Sequence, residues 1–274
     1  MRLAAQMRGG YYPAPPEAVA HAATFLRPPE AGAFTSCDPC AGEGAAIRQL
    51  AELLRCAPSM TFAIELDESR AQTIQAALPE SRVLAPASLF GCRASYQSFS
   101  LVWLNPPFDQ AYGGYRVEDQ FLRTATEWLV PGGVMAFVCP ESVMDEYSDA
   151  REHFATYYEN CKIVPFPEKH RHFHEVIVFG HKRARPKGDS WEEIPWESVQ
   201  APEGFTYRIP PGNGPRIFQK IEPTKLELQT HALAPLPTVS TLSSDVETVT
   251  TSLAFPSRLS LPNGLGLLAS GPAF

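Results

Sequence analysis

Nowhere in its 274 residues does the chain carry 18 consecutive apolar residues, so no helical membrane span is expected. Met1 to Gly10 holds no apolar core of signal-peptide length, and a cytoplasmic rather than a secreted protein is expected. Disulfide logic is missing too, because the six cysteines (37, 40, 56, 92, 139 and 161) are scattered through a chain long enough to bury a core without them. The lone Cys37-x-x-Cys40 pair would need a second pair of ligands for zinc. Only His170, His172 and His174 could supply it, and both cysteines sit in a loop with a better explanation, so no metal is expected. Positive charge is scarce: 23 Lys and Arg against 30 Asp and Glu give −7, which excludes a uniformly basic nucleic-acid binder. No internal repeat is present.

Hydrophobic residues make up 44% of the chain, ample for a core. Short apolar runs alternate with helical patterns. Ala33–Cys37, Thr61–Ile64, Val83–Ala85, Leu101–Leu104 and Val134–Val138 read as strands. Helices are expected at 17–26, after Gly44 (with Ile47, Leu50, Ala51 and Leu54 on one face), after Asp67 (with Ala71, Ile74 and Leu78), at 117–129 and at 142–154. Such alternation predicts an α/β fold with a mostly parallel, doubly wound sheet. The last two runs, Lys162–Phe166 and Val176–Phe179, are too close for a crossover helix and should form a late antiparallel hairpin. From Pro186 the chain turns proline-rich and aperiodic, with Trp191, Trp196, Phe205, Tyr207 and Ile209 as anchors. The expected division is a domain over 1–185 and a small irregular extension over 186–274. Within the extension, Thr238–Thr251 reads as a linker, and Leu265–Leu268 suits a truncated chain or a docked tail.

Three sheet ends carry chemistry. Leu101-Val102-Trp103-Leu104 runs into Asn105-Pro106-Pro107-Phe108, where two prolines force the chain out of the sheet and present Asn105 at its carboxyl edge. After the first strand, Asp38-Pro39-Cys40-Ala41-Gly42-Glu43-Gly44 makes a tight turn into a helix. The turn lacks the Lys-Ser/Thr of a nucleotide P-loop, and its acidity suits a cationic ligand such as an ammonium or sulfonium. Glu65 ends the second strand 21 residues beyond Gly44, where an acidic residue accepts from ribose hydroxyls in dinucleotide folds. Asp67 reads as a helix cap. Residues 160–187 hold seven Lys and Arg against two Glu, a strip that either grips phosphates or guards a solvated strand edge.

These motifs resemble the class I S-adenosylmethionine-dependent methyltransferases, and more narrowly the N6-adenine DNA methyltransferases of the gamma order, over residues 10–183. Asp38–Gly44 is similar to their D-P-x-x-G-x-G loop, Ala63-Ile64-Glu65-Leu66-Asp67 to their ribose-binding strand end, Asn105-Pro106-Pro107-Phe108 to their catalytic N-P-P-F/Y, and Tyr12-Pro13-Ala14-Pro15-Pro16-Glu17 to their T-P-P-E segment. The resemblance implies a seven-stranded sheet and S-adenosylmethionine as cofactor. It implies a cofactor site of Tyr12, Pro13, Ala14, Pro15, Asp38, Pro39, Ala41, Gly42, Gly44, Glu65, Leu66, Ser88, Leu89 and Asn105. Two positions depart from the pattern: Ala14 stands where Thr is usual, and Ser88 where an Asp contacts the cofactor adenine. Asn105, Pro106, Pro107 and Phe108 would be catalytic, with duplex DNA and a flipped adenine as partner, as in a restriction–modification setting. Phe108 would stack on the target ring, with Phe166 or Phe173 on its far side and Lys182 and Arg183 on phosphates. The extension would serve recognition or a protein partner. Three alternatives stay open: methylation of a protein glutamine amide, methylation of an RNA base, and a degenerate module of the same fold that only binds.

Overall fold

The computed structural model describes residues 12–108, 116–144, 148–187 and 206–221. Gly9 to Tyr11, Trp191, Trp196, Phe205, Thr238–Thr251 and Leu265–Leu268 lie outside the described residues.

Seven strands form one sheet: β1 (Ser36–Asp38), β2 (Thr61–Ile64), β3 (Arg82–Leu84), β4 (Phe99–Leu104), β5 (Leu129–Pro140), β6 (Tyr158–Pro165) and β7 (Glu175–Lys182). Their order is β3-β2-β1-β4-β5-β7-β6. Pairing is parallel from β3 to β5, and β7 runs antiparallel to both β5 and β6. The expected α/β sheet with its late hairpin is therefore present. Among the described residues five helices accompany it: α1 (Pro16–Thr24), α2 (Ala45–Leu54), α3 (Glu68–Ala77), α4 (Val117–Trp128) and α5 (Asp149–Tyr157). No helix among the described residues is long and apolar enough to cross a membrane.

The central strands are apolar on both faces, and their period of two sorts them cleanly. Val102, Leu104, Met135, Phe137 and Val178 pack with Leu122 and Ala125 of α4 and Phe154 of α5. Leu101, Trp103, Val134, Ala136, Ile177 and Phe179 pack on the other face with Ala18, Val19 and Ala22 of α1 and Leu50 of α2. Each of these side chains is essentially sealed from water, stabilising the fold by about 1.5–3 kcal/mol per large residue. Sequence travels outward from β1 to β3 and then returns to β4 on the other side of β1. The carboxyl ends of β1 and β4 thus bound a crevice at the switch point, where such sheets take ligands.

Two elements depart from the sequence reading. β5 begins at Leu129, not Val134, because the strand continues through Pro131-Gly132-Gly133 by slipping register between Phe99 and Leu101 of its partner. Gly132 takes a left-handed φ of +75°, and a Cβ on Gly133 would lie 2.8 Å from the Val130 carbonyl. The helix expected at 142–154 starts only at Asp149, where the Ser148 hydroxyl accepts from the Arg151 N–H at 3.1 Å. A 3-10 turn, Glu141–Met144, buries Val143 and Met144 before it.

Residues 206–221 run against the sheet domain. Tyr207–Arg208 pairs in parallel with Leu26–Arg27, and Phe218–Lys220 pairs antiparallel with Cys92–Ala94. Tyr207, Ile209 and Phe218 are buried there, and the Tyr207 hydroxyl donates to the Asn160 carbonyl at 2.5 Å.

Candidate functional site

At the switch point lies an open cleft with about 850 Å³ of empty space. Its walls are the loop after β1, the ends of β2 and β4, the turn after β3, and the segment before α1. Tyr12, Pro13, Ala14, Asp38, Pro39, Ala41, Glu65, Leu66, Ser88, Leu89, Asn105, Pro106 and Pro107 all line it. Residues named from sequence over five separate stretches are thus brought to one place.

The loop after β1 is built by its own backbone. Asp38 Oδ1 accepts from the Cys40 N–H at 2.9 Å, and the Ala41 N–H donates to the Ile64 carbonyl at 2.9 Å. Gly42, with φ +58°, turns its N–H onto Glu65 Oε2 at 2.8 Å. Gly44, at φ +82°, caps α2, but its bare Cα faces protein: a Cβ there would meet Ile74 Cγ1 at 3.0 Å and Leu78 Cδ1 at 3.2 Å. This glycine serves helix packing and leaves ligand approach to its neighbours Ala45 and Ala46, which line the cleft. Gly44→Val is expected to cost about 2–5 kcal/mol, from left-handed strain and overpacking together, seen as a lowered urea midpoint. An unchanged midpoint would mean that α2 and α3 can part freely.

Glu65 is buried and heavily engaged. Oε1 accepts from the Asp67 N–H at 2.7 Å and from Arg70 Nη2 and Nε at 2.7 and 3.1 Å. Among the described residues Oε2 accepts only from the Gly42 N–H, so it is the oxygen with capacity for a hydroxyl donor. Asp67 caps α3 as expected, accepting from Ser69 and Arg70 N–H groups. Asp38 is sealed at 2% exposure, and burial, with Glu65 nearby as a second carboxylate, pushes its pKa up to about 7. Two buried carboxylates in one wall suit a ligand carrying positive charge.

Asn105 is held by its amide nitrogen, which donates to the Tyr12 carbonyl at 2.9 Å. Only nitrogen can donate to a carbonyl, so this bond settles which way the carboxamide points. Its Oδ1 accepts from no described residue. Phe108 lies against the core face that holds α1, its ring parallel to that of Tyr12 at 8°, with centroids 6.5 Å apart.

Other expected site residues stand elsewhere. Pro15 ends the segment before α1 and caps that helix outside the cleft lining. Phe166 is wholly buried in the sheet core, so neither of its faces is open to a substrate ring. Phe173 is 43% exposed at the tip of the β6–β7 hairpin, with the His170 ring at 6.1 Å (9°) and the His172 ring at 4.1 Å (40°). Lys182 is no phosphate hook: it is 6% exposed, its Nζ donates to the Leu129 carbonyl at 2.7 Å, and burial lowers its pKa to about 8. Arg183 Nη1 is engaged by Glu159 Oε2 at 3.3 Å. Among the described residues no three His, Cys, Asp or Glu side chains gather as metal ligands would.

Cys40, Arg70, Ala87, Trp103 and Phe121 also line the cleft and were not singled out from sequence. Arg70 had a signal, since a helix capped at Asp67 folds its first turn back over Glu65. Phe121 had none, because helical spacing does not distinguish a half-exposed cleft residue from any other.

Comparison with known proteins places this geometry. The sequence pattern of an uncharacterised methyltransferase family (DUF6094) matches residues 1–201. No curated protein matches the chain in sequence. Among solved structures, the type IIG restriction endonuclease BpuSI superposes with a TM-score of 0.50 at 18% identity, covering 71% of this chain and 28% of that one. The type I restriction-modification methyltransferase subunit of Streptococcus thermophilus gives 0.47 at 18% identity, over 63% of this chain and 44% of that one. TrmN of Thermus thermophilus gives 0.45 at 20% identity, over 65% and 51%. The chain thus spans less than a third of the restriction endonuclease and about half of the other two. The likeness to BpuSI is one of fold.

Proposed function

The chain belongs to the uncharacterised methyltransferase family DUF6094, and on that premise we propose that it methylates the exocyclic N6 amine of adenine in DNA, with S-adenosylmethionine as donor. One observation carries the reading: Asn105 stands at the cleft wall with its amide nitrogen tied to Tyr12 and its oxygen accepting from no described residue, followed at once by Pro106.

The cleft suits the cofactor by its donor set. Asp38 and the Pro39–Ala41 turn would take the cationic methionine end. Glu65 Oε2 would accept from a ribose hydroxyl. Leu66, Ser88 and Leu89 would border the adenine ring. The Ser88 oxygen already accepts from the Phe90 N–H at 3.3 Å, so its hydroxyl proton and one lone pair remain for that ring. When bound, the cofactor supplies an electrophilic methyl group on a sulfonium centre. An aminopurine nitrogen is a poor nucleophile because its lone pair is delocalised into the ring. Hydrogen bonds from its two protons to Asn105 Oδ1 and Pro106 O draw it toward tetrahedral geometry and free that lone pair. After transfer, the surplus proton passes to water. Positioning and fixed dipoles do the chemistry, and no strong base is required. Pro106 and Pro107 keep both acceptors stiffly placed, and Phe108 offers a face to a ring that has left the duplex.

Basic side chains near this edge support the DNA reading. The β6–β7 hairpin tip carries Lys169, His170, Arg171, His172 and His174, and it sits at the carboxyl end of β5, where Glu175 pairs with Pro140 and the Glu141 N–H donates to the His174 carbonyl. Lys169 and His170 also reach Glu17 of α1, a few residues beyond the Tyr12–Ala14 wall. Replacing Lys169 and Arg171 by Gln is expected to weaken DNA association and reduce its dependence on salt, by up to about two phosphate contacts. An unchanged salt slope would place the phosphate contacts elsewhere.

The direct test is incubation with methyl-labelled cofactor and duplex DNA, followed by nucleoside mass spectrometry. N6-methyladenine is the expected product. Label in RNA or in glutamine, with none in DNA, would overturn the assignment.

A further inference from the structure

We propose that Tyr12 forms the second wall of the target-base pocket, gripping the acceptor ring from the face opposite Phe108. The inference rests on the nucleic-acid reading above and assigns the partner ring that reading lacks. A flipped base needs two faces covered to repay its lost stacking. The late hairpin gives no ring paired with Phe108: Phe166 is sealed in the core, and Phe173 packs at the hairpin tip against the rings of His170 and His172.

Tyr12 meets the requirement by geometry. Its ring is 38% exposed and lies 8° from parallel with Phe108, at a centroid separation of 6.5 Å. Stacked bases repeat at about 3.4 Å, so a ring held between two others spaces them about 6.8 Å apart. The 6.5 Å centroid separation is an upper bound on the gap between the two planes, so the pair must part by at least a few tenths of an ångström to admit one flat ring. Asn105 follows the same residue, since its amide nitrogen donates to the Tyr12 carbonyl. Tyr12 thus fixes, through its backbone, the acceptor for the amine and, through its side chain, the plane in which the amine must lie. Pro13, Pro15 and Pro16 stiffen the strap that follows Tyr12, so ring and carboxamide keep their relation. The same residue would couple recognition of a planar ring to alignment of its amino group.

The experiment compares the full chain with Tyr12→Ala, Tyr12→Leu and Tyr12→Phe, first mapping the adenine methylated by the wild type and then placing 2-aminopurine at that position in the duplex. Stacking on aromatic side chains sets the scale. Tyr12→Ala and Tyr12→Leu are expected to raise KM for DNA about 10- to 100-fold and to brighten 2-aminopurine emission in the complex, because one quenching face is gone. Tyr12→Phe, which keeps the π-face, should retain the wild-type KM and emission. If Tyr12→Leu, which keeps the bulk but not the π-face, retains wild-type KM and emission, the clamp is overturned while adenine methylation stands. If the wild type transfers no methyl group to DNA, the reading above falls and the clamp with it.

Discussion

Asn105→Ala is expected to lower methyl transfer by about 10²–10³-fold or more while leaving cofactor affinity within about threefold of wild type. The expectation follows from how this side chain is used. Its nitrogen can only donate, and one of its N–H groups is held by the Tyr12 carbonyl at 2.9 Å, so its oxygen is the group that can accept a proton of a reacting amine. Removing it takes away one of two acceptors at the nitrogen and leaves the Pro106 carbonyl alone, which cannot hold both protons. The carboxylates that would bind the cofactor lie on β1 and β2 and lose nothing. Asn105→Asp is the sharper comparison, because it keeps an acceptor but places an anion beside a backbone carbonyl that wants a donor. Its turnover should also fall, with the Tyr12 strap displaced. Single-turnover rates together with calorimetry of cofactor binding separate the effects. A variant Asn105→Ala with wild-type turnover would remove the carboxamide from the chemistry altogether.

How much of this could be read from the chain itself depends on what the local pattern constrains. Apolar runs that end in proline or acidic residues announce buried parallel strands, so β1, β2 and β4 and their carboxyl ends were legible, and with them Asp38, Glu65 and Asn105. Facing is harder. Lys182 reads as a surface cation, yet on β7 it shares a face with Val176 and Val178 and lies opposite Tyr158, which turns it inward. Phe166 follows a strand and reads as a ring near the site, but the hairpin folds it into the core. Neither outcome is encoded within ten residues of the side chain; both follow from which strands neighbour the hairpin. The two- and three-residue pairings of Leu26–Arg27 with Tyr207–Arg208 and of Cys92–Ala94 with Phe218–Lys220 are too short to leave a period. Proline-rich sequence conceals them further. The Tyr12–Phe108 pair is invisible for the same reason: 96 residues separate two rings that the switch point brings side by side.

Cofactor binding is expected to tighten as pH rises toward 7, by up to tenfold per unit, and to level off above it. Burial and the neighbouring Glu65 hold the Asp38 carboxyl at a pKa of about 7 against an ordinary value of 3.8. Below that pH it is protonated and neutral. A cationic ligand favours the carboxylate, so its arrival lowers the pKa and expels a proton, and proton release on binding means affinity that increases with pH. Above about pH 8 the ligand's own α-amino group begins to lose its charge, adding a falling limb. Asp38→Asn should remove the rising limb alone. It should also weaken binding by about 2–4 kcal/mol, roughly 30- to 1,000-fold, because a buried positive group would lose its counter-charge. Calorimetry in buffers of differing ionisation enthalpy counts the proton directly. Uptake instead of release near pH 6.5, or a rising limb that persists in Asp38→Asn, would mean that some other group meets the positive end of the ligand.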